Sequence, residues 1–336
     1  MTALTAPGRA LPAPGPTTTK RPPPGPRNRA RRWFAGFKRR ETWAAYAFIS
    51  PWMFGFLVLT LGPMIASLVL SFTNYDIINS TSWVGVANYK AMLSDPNVTA
   101  ALNNTLFYTA LYVPSTMIFS LFLATLLNRL SQRTSGFFRT IFYLPVMTPQ
   151  VAVGILYLLL FNGEYGLIDR ALAIVHIPGP EWTTDPNWLK PGFVIMNLWA
   201  VGSNVVIYLA ALRNVPQRLY EAAAMDGASK WRRFRDVTVP MISPALFFTF
   251  IVLTINALQM FTQAYTAFFN TGTTGTGVGS TATLFYVIYL YQQGFSYLHM
   301  GYASALAWGL FLVIGIITAV NWVVSKRFVY YEGGPR

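Results

Sequence analysis

An all-α, polytopic membrane protein with six transmembrane helices is the fold class this sequence predicts, and three observations predict it. Hydrophobic residues make up 54% of the 336 and charged residues only 11%, against roughly a quarter charged in soluble domains; mean hydropathy is +0.41. Two runs, Thr42–Tyr75 and Val237–Ser325, contain no Asp, Glu, Lys or Arg at all, and such lengths are those of bilayer crossings. The third observation is the placement of the basic residues. With six spans and both ends cytoplasmic, only Lys90, Arg170 and Lys190 of the 25 Lys and Arg fall in outer loops. A seventh span at 283–298 would put Lys326 and Arg327 outside, against the positive-inside rule. The formal net charge of +14 is therefore an orientation signal rather than a nucleic-acid surface. The absence of cysteine excludes disulfides, a thiol nucleophile and a Cys-ligated metal.

Residues 1–40 are expected to be a disordered basic cytoplasmic tail, because the Pro-, Arg- and Thr-rich stretch 1–32 cannot bury enough apolar surface to fold. Its end mixes Arg29, Arg31, Arg32, Lys38, Arg39 and Arg40 with Trp33, Phe34 and Phe37, a composition suited to an anionic leaflet. The first long apolar run begins only after Glu41 and exceeds signal-peptide length, so a cleaved leader is not expected. The permeation domain is placed at 41–328, with spans at 46–72, 104–128, 140–161, 192–212, 243–268 and 301–324, and a short tail at 329–336. Asp76–Asn103 reads as an external loop, and Pro114 is expected to kink the second span. Arg129, Arg133 and Arg139 mark a short basic loop before a third span that carries Pro145 and Pro149. The next loop, 162–191, holds Glu164, Asp169, Glu181 and Asp185 as solvated acids without metal-site spacing. The segment 283–298 is apolar but short and interrupted by Gln292, Gln293 and Gly294, which suits an interfacial or re-entrant helix on the outer side.

Between the fourth and fifth spans lies a charged island, Tyr220–Pro244, within a connection placed at 213–242. Pro216 suits the first turn of a short helix and Gly227 its end. Ser229 suits the cap of a second helix bearing Trp231, Phe234 and Val237, and Pro240 is expected to stop that helix before the next span. The product is a helix–turn–helix along the membrane surface with a small-residue face at Ala222, Ala223 and Ala224. Glu221 and Asp226 are left as acceptors, a form suited to entering a partner's groove. An ordinary amphipathic surface loop is what composition alone would suggest.

The pattern Glu221-Ala222-Ala223, Asp226-Gly227-Ala228, Phe234, Pro240 and Pro244 resembles the cytoplasmic EAA loop of bacterial ABC importer permeases. Tyr143-Leu144-Pro145, Tyr165-Gly166-Leu167-Ile168, Gln292-Gln293-Gly294-Phe295 and Gly301-Tyr302-Ala303-Ser304-Ala305 extend the resemblance over 45–328, to the carbohydrate branch with its maltose- and glycerol-3-phosphate-type permeases. Ala224-Met225, between the alanines and Asp226, departs from the pattern at variable positions. The resemblance implies a type I importer permease in the bacterial cell membrane that is not an enzyme. It implies that Glu221, Ala222, Ala223, Asp226, Gly227 and Ala228 couple the chain to a separate ABC ATPase dimer, which binds ATP and Mg; this chain itself is expected to bind no cofactor and no metal. It also implies a second permease subunit and an extracytoplasmic sugar-binding protein as partners, with no nucleic acid. The sequence agrees by omission: there is no G-x-x-x-x-G-K-[ST] phosphate loop, and the glycine-rich Gly272–Ser280 lacks the lysine and reads as a flexible external loop.

Polar side chains inside spans are costly and mark candidate paths. Asn256, Gln259 and Gln263 fall at offsets of three and seven, on one face of the fifth span, and Asn197 and Asn204 lie seven apart in the fourth. Amides donate and accept, as uncharged, hydroxyl-rich sugars require, and Tyr157, Trp199, Phe261 and Tyr265 are candidate sugar-stacking faces. The plainer account is that these amides bond across helices. A self-sufficient secondary transporter is the alternative; it would call for buried ionisable residues or paired broken helices. A membrane enzyme would need a catalytic constellation such as HExxH, which is absent.

Overall fold

A computed structural model describes residues 39–78, 80–163, 165–269 and 281–328. Residues 1–38 of the expected N-terminal tail, the C-terminal tail, the Gly272–Ser280 loop and Glu164 lie outside them, while Arg39 and Arg40, expected in the tail, are helical. The chain divides into two compact units between Met64 and Ile65. The first contains α1 (Arg39–Gly55) and a π-helical turn, Phe56–Leu61; within it Trp52 stacks on Phe56 at 5.5 Å. α2 (Gly62–Leu70) leads into the second unit, to which the rest belongs.

Two corrections come early in that unit. The expected external loop is half helical, with α3 at Ala87–Ser94, and α4 (Pro96–Asn128) begins eight residues before its expected start. The start is set by Asp95, whose carboxylate accepts from the Asn97 amide at 2.9 Å, followed by Pro96, whose missing N–H costs nothing in a first turn. Asn103, the last residue of the expected loop, is helical, and beside it Asn104 donates to the Thr281 and Leu284 carbonyls at 2.7 and 3.0 Å. At 33 residues α4 spans about 50 Å by the helical rise and continues through Pro114.

The third expected span is not one rod. It comprises α5 (Gln132–Tyr143), a 3₁₀ turn at Leu144–Met147 and α6 (Gln150–Leu160), bent by 94° at Thr148-Pro149. Proline steers its predecessor out of the helical region, and Thr148 is accordingly extended at ψ 128°. Arg133 and Arg139 lie on α5 rather than in a loop. After α7 (Leu167–Ile174), α8 (Pro186–Asn197) and α9 (Gly202–Arg213) form a second bent pair at 56°, replacing the straight fourth span. The acids of this connection are not all solvated: Asp169 accepts from the Trp182 indole at 2.7 Å, and Asp185 caps α8.

α10 (Gln217–Met225) and α11 (Lys230–Arg233) form the island. Pro240 does not stop the second helix. A π-helical turn at Phe234–Thr238 carries the chain straight into α12 (Val239–Leu258), where Pro240 sits in the first turn. The wider turn lets the chain continue where Pro240 supplies no N–H. α12 breaks at Gln259–Phe261 before α13 (Thr262–Phe268). α14 (Tyr286–Tyr291), in the segment expected to form an interfacial or re-entrant helix, is too short to cross a bilayer, and Phe285, Tyr286, Ile288 and Tyr289 are buried in the core. α15 (Met300–Phe328) closes the described chain.

Among the described residues four helices are long and apolar enough to cross a membrane, and six crossings result when each bent pair counts as one. α4 is the axis, packed on α8, α9, α12 and α14. Two apolar clusters lie along it. The larger, around Tyr108, joins α4 to α6, α8, α13 and α14; the other, at Ala124 and Leu127, joins it to α9, Val215 and Ile242.

Candidate functional site

Two places carry the predicted residues. The first is the island. Pro216 precedes α10, and the Gly227 that ends it has φ +72°, a left-handed conformation at which side chains cost about 1–2 kcal/mol. Ser229 caps α11 by accepting from the Arg232 amide at 3.3 Å. The two arms are tied by Tyr220 and Thr238, whose hydroxyls lie 2.9 Å apart, and Trp231 stacks on Phe234 at 5.8 Å. Asp236 pairs with Arg232 and Arg235 on the surface, a contact worth little to stability. Glu221, Ala222, Ala224, Met225, Asp226 and Gly227 are exposed, with Ala223 and Ala228 half-buried beside them. Met225 and Trp231 remain 89% and 70% exposed.

The second place is a cavity of about 470 Å³, within the range of small-molecule sites. Asn197, Asn256, Gln259 and Gln263 line it together, while Asn204 is half-buried elsewhere. The three amides of the fifth span do not share a face of one helix. They converge because the helix breaks: Gln259 leaves helical geometry at φ −100° and ψ 16°, and α13 restarts at Thr262. Gly154 sets where α13 lies, since a Cβ there would meet the Gln263 carbonyl at 2.6 Å. Asn197 gives its N–H to the Phe193 carbonyl at 2.8 Å, which aims the amide and leaves its oxygen to accept.

Of the expected aromatic faces, only Phe261 lines the cavity. Tyr157 is wholly buried, donating to the Trp182 and Leu189 carbonyls at 2.7 and 3.1 Å, and Trp199 lies half exposed outside the cavity. Tyr265 stacks on Phe261 from behind at 5.2 Å. Sequence reasoning missed Tyr112, Thr148, Gln150 and Thr262 in the wall. For Thr148 and Gln150 the signal was Pro149 between them, where a broken helix turns polar groups inward. Among the described residues no Asp, Glu, Lys, Arg or His lines the cavity. Among the described residues no three His, Asp or Glu side chains gather as metal ligands would.

With this geometry in view, comparison with known proteins is specific. Residues 116–331 match the family described as "Binding-protein-dependent transport system inner membrane component". The chain is 38% identical over 297 residues to a probable ABC transporter permease protein, YesP, of Bacillus subtilis, covering 88% of this chain and 94% of that one. It is 32% identical to the lactose transport system permease protein LacF of Rhizobium radiobacter, covering 87% and 97%. Its fold is that of a chain in the bacterial alginate ABC transporter complexed with a pentasaccharide-bound periplasmic protein, at a TM-score of 0.74 and 22% identity, covering 86% and 96%. A multi-pass chain with broken helices around a polar cavity and an exposed helical pair beyond it thus belongs to the binding-protein-dependent inner-membrane components, as a permease subunit of an ABC import system that carries no catalysis of its own.

Proposed function

We propose that this subunit translocates an uncharged sugar or sugar derivative through the cavity lined by Asn197, Asn256, Gln259 and Gln263. The carrying observation is the convergence of four amides in a wall without a charged side chain. Amides match hydroxyls as both donors and acceptors, whereas a phosphate- or carboxylate-bearing substrate would call for Arg or Lys. Relatives whose names specify lactose and arabinooligosaccharides support the sugar class.

On this reading Glu221 to Ala228 dock into a cleft of a separate ABC ATPase dimer that holds ATP and Mg. A second permease subunit completes the path, and an extracytoplasmic binding protein delivers the sugar. Both termini are cytoplasmic, placing the basic residues inside. The resemblance of the island to the EAA loop supports the docking role, as do its exposed Met225 and Trp231.

Two measurements test this on the complete transporter. The chain has no native cysteine, so Ala223→Cys gives one probe to cross-link to cysteines lining the ATPase cleft, with and without nucleotide. A yield that changes with ATP is expected; no cross-link to the ATPase overturns the docking role. Asn256→Ala with Gln259→Ala is expected to cut uptake of the neutral sugar about ten-fold or more, since each lost hydrogen bond is worth about 0.5–1.5 kcal/mol. Unchanged uptake would remove these amides from the path.

A further inference from the structure

Three layers are stacked along α4 and α8 at helical spacing, so each layer uses the same face of both helices. The innermost layer is the cavity wall, with Tyr112 on α4 and Asn197 on α8. One turn away, Tyr108 and Phe193 meet Phe285, with ring centroids 5.6–6.5 Å apart. Tyr157 and Phe268 pack against Phe193 at 5.3 and 5.4 Å, and all five rings are essentially inaccessible. One turn further, Lys190 donates to the Asn104 side-chain oxygen at 3.1 Å and to the Ala282 carbonyl at 3.2 Å. Asn104 in turn donates to the Thr281 and Leu284 carbonyls at 2.7 and 3.0 Å.

The two ends of α4 have different neighbours. Beyond the cavity, Ala124 and Leu127 pack with Leu212, Val215 and Ile242 at the root of the coupling island. The Asn104–Lys190 layer therefore lies on the opposite side of the cavity from the island. Resting on the reading of that island as the ATPase-docking segment, we propose that Lys190 and Asn104 form the latch of an extracytoplasmic gate, holding the Tyr108–Phe193–Phe285 plug shut above the sugar cavity.

The chemistry suits a latch that must release. Among the described residues no carboxylate pairs with Lys190; its ammonium is held by neutral oxygens and lies 5.7 Å from the Phe107 ring centre. These contacts exchange for water at less cost than a buried ion pair. The clamped carbonyls at 281–284 immediately precede Phe285, so freeing them frees the ring that completes the plug. Thr105 adds a second tie to the same segment, accepting from the Tyr286 amide at 2.9 Å. Lys190 and Asn104 are positioning residues: neither lines the cavity.

The test uses Ala200→Cys, a reporter in the cavity wall, in the complete transporter without its binding protein. A membrane-impermeant thiol reagent is applied to spheroplasts, and separately to inverted vesicles. Lys190→Met keeps the aliphatic stem, removing charge and hydrogen bonds, and is expected to raise outside labelling about ten-fold, the scale of a lost charge-assisted bond. Asn104→Ala should act in the same direction, and Lys190→Arg should restore slow labelling. Unchanged outside labelling in both weakened variants, with labelling from the vesicle side intact, overturns the latch. Vesicle-side labelling also shows that a variant is folded, and if Lys190→Met fails there, Asn104→Ala decides. The Ala223→Cys cross-link, read in the same membranes, fails only if the ATPase-docking reading fails.

Discussion

Asp95 shows how much one side chain can fix. Its carboxylate accepts the Asn97 amide that starts α4, the Tyr289 hydroxyl at 2.5 Å and the Tyr302 hydroxyl at 2.9 Å, so one residue joins the origin of the central helix to α14 and α15. Partial burial raises its pKa, but the bonds from Tyr289, Asn97, Tyr302 and Val98 outweigh that and hold it below the ordinary 3.8. A carboxylate with a depressed folded value contributes stability that is complete above pH 3.8 and is lost as pH falls from there through that lower value. Asp95→Ala removes a cap worth about 1 kcal/mol together with both tyrosine bonds. A lower melting temperature of the purified transporter at neutral pH is expected, with the gap to the parent closing in acid. Asp95→Asn, which keeps an acceptor, should lose less; equal melting of all three would refute the role. The cap was written in Asp95-Pro96, but Tyr289 and Tyr302 are about two hundred residues away, and no local pattern reports such partners. Lys190 and Asn104 were separated in the sequence for the same reason.

At the scale of elements, what depends on adjacent residues could be read and what depends on packing could not. The Pro216, Gly227 and Ser229 signals describe turns a few residues long, and the island has that form. The bends at Thr148-Pro149 and Val201 have angles set by what the helices pack against. Proline marks the first; the second is marked only by Gly202, where a Cβ would clash with the Phe142 carbonyl. Asn256, Gln259 and Gln263 share a cavity through a helix break rather than the helical period that nominated them. Gly227 offers a clean test of the island's turn, because a Cβ there would meet nothing within 4 Å and any cost is backbone strain. Gly227→Ala should destabilise the turn by about 1–2 kcal/mol. Amide hydrogen exchange in Gln217–Arg233 should then quicken roughly five- to thirty-fold, while α12 is unaffected. Unchanged exchange would mean that the left-handed turn does not hold the island together.

For the whole molecule, the placement of the π turn at Phe234–Thr238 has consequences for transport. Because Pro240 does not interrupt the helix, α11, the π turn and α12 form one rod from the island to the break at Gln259, about 44 Å by the helical rise. On the proposed reading of the island as the docking segment, a displacement there has a continuous helical path to Asn256 and Gln259, with the π turn and Pro244 as its softest points. On that reading, stiffness of α12 serves coupling rather than folding or docking. Phe248 and Val252 lie on its exposed face, 57% and 39% accessible, where substitution leaves the cavity wall in place. Phe248→Gly with Val252→Gly weakens the helix by roughly 1 kcal/mol at each position relative to alanine, whereas the Phe248→Ala, Val252→Ala pair removes the same apolar side chains and keeps the rod stiff. In proteoliposomes of the complete transporter the glycine pair should retain ATP hydrolysis and the Ala223→Cys cross-link yet transport several-fold less sugar per ATP than the alanine pair. Equal ratios in the two would show that the rod does not carry the movement.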